Sequence, residues 1–480
     1  MDRGIEMDAT HLLTKSDFLL FLEAPMHLWA KKHGQYKREL SEFEQDLIRQ
    51  GMEIEPIAKE FVERYMLDMD EGEELIFQQT FENKRFSART DVLVYKPKTG
   101  SYDLYEIKSS SSVKKENISD VAFQYLVVNE FIQIDQVNIL FLNKAYVREN
   151  EIDLMQLFTF LDVTELVQII SEEIDILRNM AYEIALAETA DEIVICKKPK
   201  DCPCVHLCHP GLPELSIYDI PRIDKTKLDG LIGLGIKHIQ DVPDSYKLSE
   251  KQRKFVEIVK ANQEYIEIDE IRNIFQSFEY PLYFLDYETY SAAIPLFDGY
   301  KPYQHCVFQF SLHILDEAIG EIRHREHLEI TRGDPAKGLL EHLVDVIGYS
   351  GTVFVWNRGF EESKNKEMAV LYPEYEGLLS NINSRIYDLA EFVSKGHYIH
   401  PGFKGKYSIK NVLPVIAPEL SYEGLEVGNG TEASTTWWKF VNREFDEDDA
   451  ERKVMAMKEY CKLDTLAMVK VFEFLYTKIE

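Results

Sequence analysis

The amino-acid sequence predicts an α/β, multidomain protein, and three observations carry that reading. Two separated regions, around 74–108 and 280–356, hold short runs rich in β-branched and aromatic residues bounded by turn residues, as strands do. Helical periodicity surrounds both, and a polar helical stretch from Thr226 to Gln263 lies between them. A length of 480 residues, with 45% apolar and 12% aromatic side chains, is enough for two or three cores. The expected division is a first domain over 1–212, a helical connector over 213–277 and an α/β domain with a mixed sheet over 278–480.

Taken in order, Thr14-Lys15-Ser16-Asp17 ahead of Phe18 to Leu22 reads as a capped amphipathic helix that stops before Pro25. A longer helical pattern from Leu40 to Leu67 is interrupted at Gly51. Glu74 to Phe81, Arg85 to Tyr95 and Tyr102 to Lys108 predict a small sheet with turns at Asn83 and Lys98-Thr99-Gly100, and Asp120 to Tyr125 opens the next helix. In the connector, Leu231-Ile232-Gly233-Leu234-Gly235-Ile236 resembles a helix-hairpin-helix and reads equally well as a plain helical linker. Beyond it, strands at Tyr283 to Asp286, Phe308 to Leu315 and Thr352 to Trp356 alternate with helices at Pro335 to Ile347 and Phe360 to Leu371; Asp448 to Tyr476 is helical again.

Composition bounds the surroundings. The formal charge of −30, from 54 basic and 84 acidic residues, repels nucleic acid at long range, so such a partner has to be held by local basic patches and metals. No run of about 18 apolar residues and no secretory leader at Met1 is present, which predicts a cytoplasmic protein with no membrane partner. Four of the six cysteines crowd into Cys196 to Cys208, a pattern that in a reducing compartment points to metal rather than to a disulfide framework.

Two sets of residues carry chemistry. Asp286 and Glu288 sit two apart on a predicted strand and project from one face. Tyr460 and Asp464, four apart on a predicted helix, share a face, and Glu361 in Asn357-Arg358-Gly359-Phe360-Glu361 opens a helix at a strand end. Acids and a phenol in this combination suit phosphodiester hydrolysis with hard divalent ions, which take oxygen ligands. Glu362 is an alternative to Glu361, and Asp388 reads as structural. In the first region Glu106 and Lys108 face the same way beside Asp91, where the lysine would orient or deprotonate water; a cross-strand salt bridge is the plain alternative. The insert His397 to Lys410, with Lys404, Lys406 and Lys410, reads as a basic mobile loop able to grip a phosphate backbone. Tyr287, Tyr290, Phe297, Tyr300 and Tyr303 supply aromatics for stacking on bases or for core packing. Cys196, Cys202, Cys204 and Cys208, with His206 and His209, favour zinc or an iron–sulfur cluster over magnesium.

The order Gly51-x-x-x-Glu55, Asp91, Glu106-x-Lys108 and Gln124 over residues 10–210 resembles the RecB-like branch of the PD-(D/E)XK nucleases, including the CRISPR-associated RecB-like exonucleases. That resemblance implies a restriction-endonuclease-like fold, metal ligands at Glu55, Asp91 and Glu106, a catalytic Lys108 and a supporting Gln124. It also implies a [4Fe-4S] cluster at the cysteine patch, whose fourth ligand would lie near Glu23-Ala24-Pro25, where relatives carry Cys-Pro and this chain has Ala24. Cys204 or a histidine completing a zinc site are the alternatives. Residues 278–480, with Asp286-x-Glu288, Asn357-x-x-Phe360-Glu361 and Tyr460-x-x-x-Asp464, resemble the DnaQ-like DEDDy 3′–5′ exonucleases of the RNase H-like fold, with glutamate where the second motif usually has aspartate. By that resemblance Asp286, Glu288, Glu361 and Asp464 would hold Mg²⁺ or Mn²⁺, Tyr460 would orient water, and a 5′-nucleotide would leave a 3′ end. The whole chain looks like a bacterial family fusing the two modules. The expected partner is DNA, as single strands or ends, with RNA not excluded, and with protein partners in a repair or defence complex such as trimming of fragments for CRISPR adaptation. A nucleic-acid-binding or assembly scaffold with inactive sites is the rival reading.

Overall fold

The computed structural model describes residues 12–67, 71–318 and 320–480; the residues at Met1, where no leader is expected, lie outside these. Contacts divide the chain into two compact units, Met1–Gly211 with Ala292–Gln304, and Leu212–Ser291 with His305–Glu480. The stretch 213–277 thus falls within the second unit, and 292–304, expected in the C-terminal domain, within the first. Both units mix helices and sheets, and among the described residues no helix is long and apolar enough to cross a membrane.

In the first unit the capping box forms as expected: Thr14 Oγ1 accepts from the Asp17 N–H and Asp17 accepts from the Thr14 N–H, opening helix Lys15–Glu23. That helix stops before Pro25, as expected, and Pro25 takes the first position of a second helix, Pro25–Lys32. Glu42–Tyr65 is one unbroken helix despite Gly51. An interior glycine costs only about 1 kcal/mol, which burial of Ile54, Ala58, Phe61 and Val62 offsets. The first two predicted strands each split. Gln78, in the left-handed region at φ 53°, breaks the first, so Glu74–Phe77 and Thr80–Glu82 enter different sheets.

The larger sheet of this unit runs Glu74–Phe77, Val92–Lys96, Ser101–Ile107, Ile134–Leu142, Phe158–Asp162, with only Ser101–Ile107 and Ile134–Leu142 parallel. A parallel pair needs a crossover, and helix Lys115–Val128 supplies it. Alternation along the strands separates two cores. Leu93, Leu104, Val137 and Ile139 meet Val121, Ala122, Phe123 and Val127 of the crossover helix, while Val92, Val94, Tyr105 and Leu140 meet Ile54, Ala58, Phe61 and Val62. Residues 292–304 are fixed within this unit by hydrogen bonds from Arg148 to the carbonyls of Pro295 and Leu296 at 2.9 and 2.8 Å, and from the Ala293 N–H to Gln50 Oε1 at 2.7 Å.

The second unit is built on a sheet ordered Ile322–Leu328, His305–Leu315, Leu282–Ser291, Thr352–Val355, Ile386–Asp388. The first three strands are antiparallel neighbours and the last three parallel ones. Leu282–Ser291 lies at its centre, buried on both faces. Leu282 and Phe284 pack with Met468, Val471, Phe472 and Leu475 of the 33-residue helix Glu447–Ile479, whereas Tyr283, Leu285 and Tyr287 pack with Leu339, Leu340 and Leu343 of helix Pro335–Val346. The same alternation carries Asp286 and Glu288 to the long-helix face, where Tyr460 and Asp464 are. The connector residues form helices Lys225–Gly233 and Glu250–Ala261 around a turn in which Gly235 adopts φ 74°.

Candidate functional site

On the second unit's sheet the three predicted motifs converge. Carboxylate oxygens of Asp286 and Glu288 and the Sγ of Cys461 lie within 4.8 Å of one another. Asp464, one turn beyond Cys461, is close enough to raise the affinity of both acids for protons, after burial itself; Glu361 adds to the effect on each. Burial also pushes Asp464 up, against hydrogen bonds from Tyr422 and Tyr460. Glu361 sits in the first turn of helix Arg358–Leu371, is 2% exposed, has its Oε2 without a hydrogen-bond partner, and is pushed to about 8, chiefly by burial. Its neighbour Glu362 faces outward, paired with Arg358 at 2.6 Å, so position 361 and not 362 joins the cluster. Asp388 is structural: its oxygens accept the N–H groups of Arg358 and Ala390 at 3.1 and 3.0 Å. Among the described residues no cation pairs with these four enclosed acids, which is costly unless they are protonated or bound to a cation. Their hard oxygens and the unpartnered Glu361 Oε2 fit Mg²⁺ or Mn²⁺.

Several residues around these acids carry no motif. Tyr422 donates to Asp464 Oδ1 at 2.6 Å, and Lys410 lies 5.2 and 5.3 Å from the ring centres of Tyr422 and Tyr460 while donating to the Gly428 carbonyl at 2.8 Å. Gly430, opening helix Gly430–Val441, brings backbone so near that a Cβ would meet Glu288 Oε2 at 3.3 Å. Tyr422 lies 42 residues from Asp464, and nothing in local spacing announces it. Tyr422→Phe removes a hydrogen bond to a carboxylate worth about 1.5–3 kcal/mol, so any activity that depends on Asp464 should fall roughly 10- to 100-fold; an unchanged rate would make the contact structural.

The first unit brings Asp91, Glu106, Lys108 and Gln124 together, and adds Lys15 and Asp120. Glu106 Oε1 accepts from both Lys15 and Lys108 at 2.7 Å and its Oε2 accepts from Gln124 at 2.7 Å; Lys108 also donates to Asp120. Burial alone would raise Glu106, but Lys108 and Lys15 outweigh it and draw the carboxyl down to about 2. Asp91 is raised to about 7 by burial and then by Glu106, and Asp120 is raised by the same two causes, in both cases against Lys15. Asp91 Oδ2 accepts the Ile107 N–H at 2.8 Å. Glu55 does not join this cluster directly. It pairs with Lys59 at 2.7 Å and with the Gln78 side chain, and the Gln78 N–H donates to the Asp91 carbonyl. The oxygens of Glu106 are therefore satisfied by two ammoniums and the Gln124 amide, and a divalent ion here would have to displace one of these donors. Asp120, four residues before Gln124 on one helix, was readable from spacing; Lys15 was not.

Other expectations need correction. The insert His397 to Lys410 is not an open loop: it contains strand Tyr398–Ile399, a turn at Pro401–Phe403 and the start of helix Ile409–Ile416, with Tyr398 and Phe403 buried. Lys404 is paired with Glu214 at 2.6 Å and Lys410 turns to the tyrosines, while Lys406 lines a cavity of about 1120 Å³ with Trp356, Asn357 and Tyr407. For the aromatics the core-packing alternative holds: Tyr287, Tyr290 and Tyr300 are buried, and Tyr303 donates to the Ser109 carbonyl at 2.7 Å. All four cysteines of the patch are buried, as is Ala24 beside them. His209 Nε2 meets the Cys196 carbonyl at 2.7 Å, and the imidazole that reaches the thiols is His27.

Residues 283–408 match a family described as a domain of unknown function (DUF2779). Over 217 residues the chain is 32% identical to the uncharacterized protein UU173 of Ureaplasma parvum, covering 41% of this chain and 31% of that protein. Over 228 residues it is 26% identical to the uncharacterized MG366 homolog of Mycoplasma pneumoniae, covering 43% of this chain and 34% of that protein. The chain thus spans about a third of the length of these curated relatives. A solved structure described as "Crystal structure of SSO0001" aligns with a TM-score of 0.27 at 9% identity, covering 43% of this chain and 90% of that one.

Proposed function

We propose that the chain is a metal-dependent DNA nuclease whose second unit is a DnaQ-like 3′–5′ exonuclease and whose first unit is a RecB-like PD-(D/E)XK module. The observation that carries this reading is the gathering of Glu288, Glu361 and Asp464 close enough to Asp286 to raise its proton affinity, with Glu361 Oε2 buried and unpartnered. The sheet order is consistent with an RNase H-like fold, and a helix, three antiparallel strands, a crossover helix and a parallel strand are consistent with the PD-(D/E)XK core. When bound, Mg²⁺ or Mn²⁺ supplies Lewis-acid stabilisation of the attacking and leaving oxygens. Asp286, Glu288, Glu361 and Asp464 hold that charge in place, Tyr460 positions the attacking water, and Tyr422 fixes Asp464. Lys410 adds positive charge beside the site for the substrate's phosphates. In the first unit Lys108 is the group to orient water, with Asp91, Glu106 and Gln124 around it. Six free cysteines suit a reducing cytoplasm, and DNA repair or defence against foreign DNA is the setting in which such chemistry works.

A second reading is favoured by the charge-balanced contacts of Glu106, Lys108, Lys15 and Asp120: the first unit is a binding scaffold, not an active nuclease. One digestion separates the readings. With 5′-end-labelled single- and double-stranded DNA and RNA and added Mn²⁺, wild type should shorten DNA from the 3′ end and Asp464→Ala should not. If neither Asp464→Ala nor Lys108→Ala alters any product, the two-nuclease reading is wrong; if Lys108→Ala leaves every product unchanged while Asp464→Ala does not, the first unit is the scaffold.

A further inference from the structure

Helix Pro25–Lys32 carries His27 into the cysteine patch some 170 residues later in the chain. The imidazole is fully buried, with Nε2 3.3 Å from Cys202 Sγ. Nε2, or Nδ1, and the sulfurs of Cys196 and Cys202 all lie within 4.8 Å of one another. Cys208 lies beside this trio rather than within the same 4.8 Å: its Sγ accepts from the Cys196 backbone nitrogen at 3.5 Å, and it makes a side-chain hydrogen bond with Cys202. The other ring nitrogen, Nδ1, has no hydrogen bond and stands 3.4 Å from a carboxylate oxygen of Glu23. A buried histidine with one nitrogen at a thiol and the other beside a carboxylate has the arrangement that metal-bound imidazoles use, where the second nitrogen is oriented by an outer acceptor.

From these contacts we infer that Cys196, Cys202, Cys208 and His27 form a structural zinc site that ties the N-terminal helices to the segment 196–208. Spacing decides between the two metals that soft donors allow. Around a single tetrahedral zinc, donors stand about 3.5–3.8 Å apart, given bonds of about 2.3 Å to sulfur and 2.0–2.1 Å to nitrogen. In a [4Fe-4S] cluster each thiolate sits on a different iron, which spreads the sulfurs wider. The close His27–Cys202 approach fits the single ion. His27 supplies the fourth donor from helix Pro25–Lys32. Cys204, buried at the start of the short helix Val205–Cys208, is then a packed thiol and not a ligand. Three thiols and an imidazole are a closed, non-catalytic set, and none of this rests on the nuclease reading.

The test is metal content of the full chain, purified without oxygen from medium holding both iron and zinc. About one zinc per chain is expected, with no iron and no visible absorption. His27→Ala should lose the zinc, His27→Cys should retain it, and Cys204→Ala should retain it. Where His27→Ala is insoluble, X-ray absorption at the zinc edge of the wild type serves instead, with three sulfurs and one nitrogen expected. Iron in place of zinc, an all-sulfur shell, zinc retained by His27→Ala, zinc lost from Cys204→Ala, or no zinc taken up by the metal-free chain would each overturn the assignment.

Discussion

Asp286→Asn should abolish 3′-end hydrolysis while making the metal-free protein more stable. The activity loss is expected to reach about 10³-fold or more, because in the proposed reaction Asp286 is a charged metal ligand whose contribution to hydrolysis is several kcal/mol. The stability gain has the opposite sign because Asp286 is pushed up by burial and then by Asp464, Glu288 and Glu361, so ionising it in the folded chain works against like charges. An amide relieves that repulsion by about 1 kcal/mol, or about 2–4 °C in Tm. Thermal unfolding in EDTA measures the gain; addition of Mn²⁺ should raise the wild-type Tm and leave the variant behind. A variant that keeps its activity, or that is less stable without metal, would mean that the acids are not arranged for a cation.

Lys108→Ala carries the largest expected cost to folding in the first unit. Lys108 donates to both Glu106 and Asp120, its side chain is 20% exposed, and the two carboxyls are 2% exposed. Removing it leaves Lys15 alone among three buried acids. Breaking a buried pair of this kind costs about 3–5 kcal/mol, and the partial exposure of Lys108 brings the expectation to about 2–4 kcal/mol. Urea unfolding followed by fluorescence should show the loss as a lower midpoint. Added Mn²⁺ should restore part of it, since a divalent ion replaces the missing charge beside Glu106, Asp91 and Asp120. A midpoint unchanged from wild type would show that the network adds nothing to stability, and recovery without Mn²⁺ dependence would remove the case for a metal place in this unit.

Much of the second site was legible because its acids and Tyr460 obey short periods. Asp286 and Glu288 follow the two-residue alternation of a strand, Tyr460 and Asp464 the turn of a helix, and Glu361 the junction between them. Tyr422, Lys410 and Gly430 were not, since their approach to the acids is set by the packing of helices Ile409–Ile416 and Gly430–Val441, which no local spacing encodes. Edge strands Ile322–Leu328 and Ile386–Asp388 escaped for a related reason: one is mostly polar and the other three residues long, as edge strands often are, so neither shows an apolar pattern. Lys15 and His27 belong to helices whose local sequence announces only a cap and a proline start.

By itself the sequence determined the α/β class, the acids Asp286, Glu288 and Asp464, the pairing of Glu106 with Lys108, and the soft-donor character of 196–208, because residue type and spacing within one element suffice for each. Only the tertiary structure decided that Glu361 and not Glu362 completes the acid cluster, that Lys15 and Asp120 balance Glu106, that Glu55 stands apart from it, and that His27 reaches the thiols. Each of these depends on which faces of distant elements are buried together, and burial is a property of the packed chain rather than of any segment in it.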